Sequence, residues 1–102
     1  MSKMQFIERV FKDIYGGQIE LNVDASERLN VERLIYKLIE PFPQESAQVF
    51  RLYYKEQIPL SQIAQIQRTT FDDVEWSLGY ALRHLRHPNC TKQFKSYIKI
   101  IY

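Results

Sequence analysis

The sequence is poor in the residues that build many kinds of site. Its single cysteine in 102 residues, Cys90, excludes an internal disulfide, and with only His84 and His87 nearby it makes a poor metal site. Its three glycines, Gly16, Gly17 and Gly79, form no glycine-rich phosphate loop. No Ser-His-acid or Cys-His constellation stands at a useful position, and the paired acids Asp72 and Asp73 point to different sides of a helix, so no enzyme is expected. No apolar run approaches the roughly 20 residues that span a bilayer, and the opening MSKMQFIERV has charges where a secretory signal has its apolar segment. A cytoplasmic chain without membrane partner, cofactor or small-molecule substrate is expected. Acids are missing from one whole region: none follows Glu75.

What is present is one domain's worth of apolar residues, 45% of the chain, and an uneven charge. The net charge is only +2, but Arg83, Arg86, Lys92, Lys95 and Lys99 give the stretch from Trp76 to Tyr102 a charge of +5. Residues 1–75 hold nine basic residues against twelve acids. A basic final quarter fits nucleic acid or an acidic protein surface, and equally a solvated tail.

Apolar spacing is helical almost throughout. Met4, Ile7, Val10, Phe11, Ile14 and Tyr15 recur at three- and four-residue steps and predict an amphipathic helix that stops at Gly16-Gly17. The alternation in QIELNV, with Ile19, Leu21 and Val23, predicts a short extended piece lying against the helices. Val31, Leu34, Ile35, Leu38 and Ile39 define a second helix ended by the PFP at 41–43, and a third runs from about Gln44 to Lys55. Leu60, Ile63 and Ala64 then face inward from a short helix, QRT breaks it, and Thr70 caps a longer one, with Asp73 placed for a capping box. Asp72 and Asp73 also suit the positive end of that helix. Val74, Leu78, Ala81, Leu82 and Leu85 make its buried stripe; Asp72, Glu75, Trp76, Gly79, Tyr80, Arg83 and His87 face outward. Phe50, Leu52, Ile63, Val74, Leu78 and Leu82 are expected to share one core. The predicted fold is all-α, a small helical bundle with a helix-turn-helix and an extra N-terminal amphipathic helix.

From about Leu34 to Ile101, roughly two-thirds of the chain, the sequence resembles region 4 of bacterial sigma-70-type RNA polymerase sigma factors. The matching pieces are PQESAQVFRLYY before the motif, LSQIA in its first helix, Val74 in the second, ALRHLRHP at its end and TKQFKSYI after it. The last two resemble the tail of the primary, housekeeping branch; residues 1 to about 30 match nothing familiar. No room is left for the family's promoter-melting regions, so something less than a complete sigma factor is expected.

The resemblance implies two surfaces. The second motif helix enters the major groove of the promoter minus-35 element, and an apolar groove on the earlier helices grips the flap tip of the polymerase beta subunit. Where the family usually places an arginine and a glutamate, then a glutamine, this chain has Phe71, Asp72 and Trp76; further basic positions are Asp73, Glu75 and Tyr80. Arg68 replaces the turn glycine and Tyr53 a neighbouring arginine, while Arg51, Arg83 and Arg86 stay basic. Candidate DNA contacts are therefore Arg51, Arg68, Thr70, Phe71, Asp72, Trp76, Arg83, Arg86 and Lys92; candidate protein contacts are Trp76, Tyr80, Phe50, Tyr53 and Tyr54.

Acids on a reading turn face a polyanion, and affinity for duplex DNA comes largely from neutralised phosphates. Two functions stay open. One is a transcription regulator acting at RNA polymerase through the beta flap, promoter DNA or both. The other is an anti-sigma or adaptor module that binds a sigma factor or another protein through Trp76 and Tyr80. A third arrangement would make those aromatics core: the N-terminal helix packing over them, with Ile7, Phe11 or Ile14 against Trp76.

Overall fold

The computed structural model describes residues 6–17 and 19–100. Met4 of the first predicted stripe, Gln18 of QIELNV and Ile101 lie outside the described residues. Within them the elements are α1 (Phe6–Tyr15), β1 (Ile19–Leu21), α2 (Ala25–Ile39), α3 (Gln44–Tyr54), α4 (Leu60–Gln67), α5 (Phe71–Leu85), α6 (Pro88–Phe94), a 3-10 turn over Lys95–Tyr97 and β2 (Ile98–Ile100). The architecture is an all-α small bundle with one two-stranded sheet.

Helix α1 buries Ile7, Val10, Phe11 and Ile14 of the stripe its periodicity predicts, leaves Tyr15 half-buried, adds Phe6 to the buried set, and ends where Gly16 turns left-handed at φ +73°. Helix α2 begins six residues before Val31, because Asp24 and Glu27 form a full capping box: the Asp24 carboxylate accepts from the Glu27 N–H at 2.9 Å, and Glu27 accepts from the Asp24 N–H at 3.3 Å. Bonds from the Ser26 hydroxyl and the Glu27 N–H hold the Asp24 carboxyl below its usual range. Helix α2 thus runs across residue 30, where the unmatched N-terminal part meets the remainder.

QIELNV is not a lone extended piece. β1 pairs antiparallel with β2, Ile19 opposite Ile100, Glu20 opposite Lys99 and Leu21 opposite Ile98, and the Asn22 N–H adds a bond to the Tyr97 carbonyl at 2.8 Å. The chain after Phe94 accordingly leaves helical geometry and becomes the missing partner strand, so the Phe-Lys-Ser-Tyr segment straddles a helix end and a 3-10 turn. Opposite charges at Glu20 and Lys99 suit a directly facing pair.

The core runs through all six helices. Phe50, Ile63, Val74 and Leu78 lie in it together, as the apolar stripes predict, whereas Leu52 and Leu82 are half-buried against its edge. Leu60, expected inward, is likewise only half-buried, with Ile63 and Ala64 carrying the inner face of α4. Helix α5 packs chiefly on α3 and α4. At the break between α4 and α5, Arg68 takes a left-handed conformation (φ 55°, ψ 47°), and its N–H and that of Thr69 close the end of α4 on the carbonyls of Ala64 and Gln65. The turn therefore keeps a glycine-like geometry with an arginine in it. Thr70 caps α5 by accepting from the Asp73 N–H at 3.1 Å; the Asp73 carboxylate is occupied by the Thr69 hydroxyl at 2.7 Å instead of completing a capping box.

Candidate functional site on the outer face of the second motif helix

Helix α5 divides cleanly. Val74, Leu78, Ala81 and Leu85 are buried, and the opposite side carries Phe71, Asp72, Glu75, Trp76, Gly79, Tyr80 and Arg83. Trp76 is 62% exposed and Phe71 47%, two of the largest apolar side chains facing solvent. Exposed apolar residues standing singly are ordinary; two bulky aromatics on the first turns of one helix need a reason.

Trp76 is held in place. Its indole stacks on Tyr80, one turn on, at 5.7 Å and 23° between planes. Tyr80 meets the buried Phe42 ring edge-on at 5.6 Å, and Phe42 meets His84 edge-on at 4.8 Å. Phe42 comes from the PFP segment between α2 and α3, so the residues that end α2 also brace the outer face of α5. PFP is more than a helix stop: the aromatic between its two prolines is the sequence signal for this brace.

Helix α1 does not cover this face. It docks across α2, α3 and α5 without reaching Trp76, and touches α6 through one ring: Phe6 stacks on Tyr36 at 5.3 Å and Phe11 meets Phe94 at 4.9 Å. Polar bonds fix both ends. Arg9 donates to the carbonyls of Tyr53 (2.8 Å) and Tyr54 (3.1 Å) at the end of α3, the Tyr54 hydroxyl donates to the Asp13 carboxylate at 2.7 Å, and Arg28 pairs with Glu8 at 2.7 Å.

That docking corrects several candidates. Phe50 and Tyr54 are fully buried beneath α1 and belong to the core, with Tyr54 ionisation pushed far up by burial and by its bond to Asp13. Tyr53 is half-buried under the Arg9 guanidinium, 4.9 Å from its ring centre. Arg86 is taken from the phosphate-contact set: it donates to the carbonyls of Asp13 (2.6 Å) and Ile14 (3.3 Å), satisfying the C-terminal end of α1. Thr70 is occupied as the cap of α5.

The remaining basic candidates do not converge on the α5 tip. Arg51 lines an open cleft of about 590 Å³ with Tyr36, Glu40 and Phe42; Arg68 sits exposed in the turn; Lys92 is exposed on α6. Arg83 lines a second open cleft, about 520 Å³, with His84, His87 and Cys90. There the His87 ring accepts from the Asn89 N–H at 3.1 Å, and burial pushes the Cys90 thiol up, away from reactive thiolate. Among the described residues, no three His, Cys, Asp or Glu side chains gather as metal ligands, and no helix is long and apolar enough to cross a membrane. Asp72, Glu75 and Arg83 make no ion pair or side-chain hydrogen bond among the described residues. The chain matches no known protein family, curated protein or solved structure in the comparisons made.

Proposed function

We propose that this chain is a transcription regulator that acts at RNA polymerase through a domain resembling sigma region 4, and that the outer face of α5 engages protein instead of reading a minus-35 element. The observation that carries this reading is Trp76, exposed, stacked on Tyr80, which in turn rests on Phe42, and set among acids with no basic residue on the same first turns. Asp72 and Glu75 would face phosphates in a groove, with no base nearby to hold the backbone, so a major-groove role is opposed by charge. Pre-positioned Trp and Tyr side chains are the usual centres of protein interfaces.

The partner is RNA polymerase, engaged through the outer face of α5 and not through a flap-gripping groove on the earlier helices, where Phe50 and Tyr54 lie buried beneath α1, or a sigma factor. The second gives the anti-sigma or adaptor version of the same reading, and both use this face. Pull-down with the purified chain separates them. Capture of core polymerase without DNA supports the polymerase version, and capture of a sigma factor alone supports the adaptor version. Trp76→Ala should lower either capture about tenfold or more with an unchanged circular dichroism spectrum, as for a central aromatic contact. Capture of neither, or capture indifferent to Trp76→Ala, would overturn the proposal.

A further inference from the structure

We propose that the outer face of α5 also binds a second copy of this chain, the two α5 helices lying antiparallel with a two-fold axis beside Gly79. The inference rests on the reading of this face as a protein-contact surface, and on nothing assumed about polymerase.

Gly79 is the first observation. It lies in the middle of α5 on the outer face, half-buried, without a left-handed φ. A Cβ built there would meet only the Arg83 Nη1, at 3.6 Å, an ordinary contact. Nothing within one copy therefore requires glycine, although alanine would favour the helix. A missing side chain on an open helix face lets another backbone come close.

The charges around Gly79 are the second observation. Four residues before it stands Glu75 and four after it Arg83; seven before stands Asp72 and seven after Arg86. At 3.6 residues per turn all of these share a face with Gly79. The sign reverses across the glycine, so a parallel copy would set like against like, while an antiparallel copy sets the acidic end of each helix against the basic end of the other. That is the self-complementarity an isologous two-fold contact needs. Arg86 is engaged with the end of α1, so the principal pairs are Arg83 of each copy with the acids of the other. Asp72, Glu75 and Arg83 are unpaired among the described residues of one copy. Trp76, three residues before Gly79, falls opposite the second copy's Arg83, where guanidinium and indole attract, and its burial there supplies apolar area.

A dimer of this form hides Trp76, so self-association and capture of another protein compete for one surface. Concentration of the chain then sets how much of it is available to a partner.

Sedimentation equilibrium of the whole purified chain tests this. The expected result is a monomer–dimer equilibrium with a dissociation constant of roughly micromolar order, weakening as salt screens the charge pairs. Gly79→Leu should be monomeric with an unchanged or higher melting temperature; Gly79→Ala, the milder control, should raise the melting temperature and still weaken the dimer. Arg83→Glu should weaken association about tenfold or more. Gly79→Cys should cross-link through position 79 on mild oxidation, since a residue at the two-fold meets its own copy. A wild type that stays monomeric at about 100 times a micromolar dissociation constant overturns the proposal. So does a dimer indifferent to Gly79→Leu or Arg83→Glu, or one that fails to cross-link at 79. Polymerase and sigma capture are scored apart: a dimer that captures neither removes the transcription reading and keeps this one, and a strict monomer that captures polymerase does the reverse.

Discussion

Helices α1 and α5 are both amphipathic, and both carry more apolar surface than a solvated helix needs, yet they dispose of it differently. Phe6, Ile7, Val10, Phe11 and Ile14 of α1 are buried with Tyr15 half-buried beside them, and its polar ends are bonded to α2, α3 and the residue that closes α5. Helix α5 buries Val74, Leu78, Ala81 and Leu85 but holds Trp76 and Tyr80 on the other side, stacked, with Phe42 beneath Tyr80. Apolar area in α1 is used by the fold. In α5 the outer aromatics are positioned by the fold without being consumed by it, which is what separates a core from a surface built for contact.

The sharpest way to break this comparison is to truncate one aromatic from each helix. Phe11 is fully buried against Phe94, and Phe11→Ala should cost about 3–5 kcal/mol, a large share of the roughly 5–15 kcal/mol typical of a domain. Trp76→Ala should cost no more than about 1 kcal/mol, the value of its lost stacking on Tyr80. Urea unfolding of both variants decides it. A Trp76→Ala cost near that of Phe11→Ala would mean that the outer face is part of the core.

Within α5 itself, the inner stripe offers the same contrast. Leu78 is 8% exposed, and Leu78→Ala should cost about 2–5 kcal/mol, while Glu75→Ala, on the other side, should stay within about 0.5 kcal/mol. A Leu78→Ala cost under about 0.5 kcal/mol would show the stripe misassigned.

Local pattern made one half of this comparison readable and left the other half obscure. The stripes of α1 and α5 repeat every three or four residues, and that period alone places Phe11 and Leu78 inward. It does not say what each stripe meets. Phe50 and Tyr54 looked available because the helix that covers them lies about 40 residues earlier in the chain, and Arg86 looked like a phosphate contact because its acceptors are carbonyls of α1. The β1–β2 pair was invisible for the same reason: its two strands come from opposite ends of the sequence. The start of α2 is a different case, since Asp24 and Glu27 stand at capping-box spacing and were legible without any structure. Exposure of Trp76 needed the docking site of α1, which no period within α5 contains.

The acids of α5 allow a smaller, sharper test. Asp73 is tied to Thr69 and Asp72 sits in the first turn, so reversing either would disturb the helix start. Glu75 is exposed and unpaired among the described residues, and Glu75→Arg should strengthen duplex binding about threefold at low salt, roughly 0.6 kcal/mol, without changing stability. Any wild-type binding should be weak, indifferent to sequence and steeply salt-dependent, carried by Arg51, Arg83 and Lys92. Tight, sequence-selective binding by the wild type that Arg83→Ala leaves intact would instead place the acidic turn in a groove.

An effect of similar size lies where the ends of two helices can be set side by side. Helix α1 closes on Gly16 at φ +73° and α4 on Arg68 at φ 55°, both left-handed, but only the glycine adopts that conformation without a clash of Cβ against the following carbonyl. The clash costs about 1–2 kcal/mol in an L-residue, and glycine gives back part of this through its greater freedom in the unfolded chain. Arg68→Gly should therefore stabilise the protein by about 0.5–1 kcal/mol, a rise of a few degrees in melting temperature for a domain of this size. The turn should keep its bonds to Ala64 and Gln65, leaving α5 and Trp76 where they are. A loss of stability would show that the Arg68 side chain makes a contact worth more than the strain, while a gain accompanied by lost capture of polymerase or sigma would put Arg68 at the edge of the α5 contact face, extending that face across the turn.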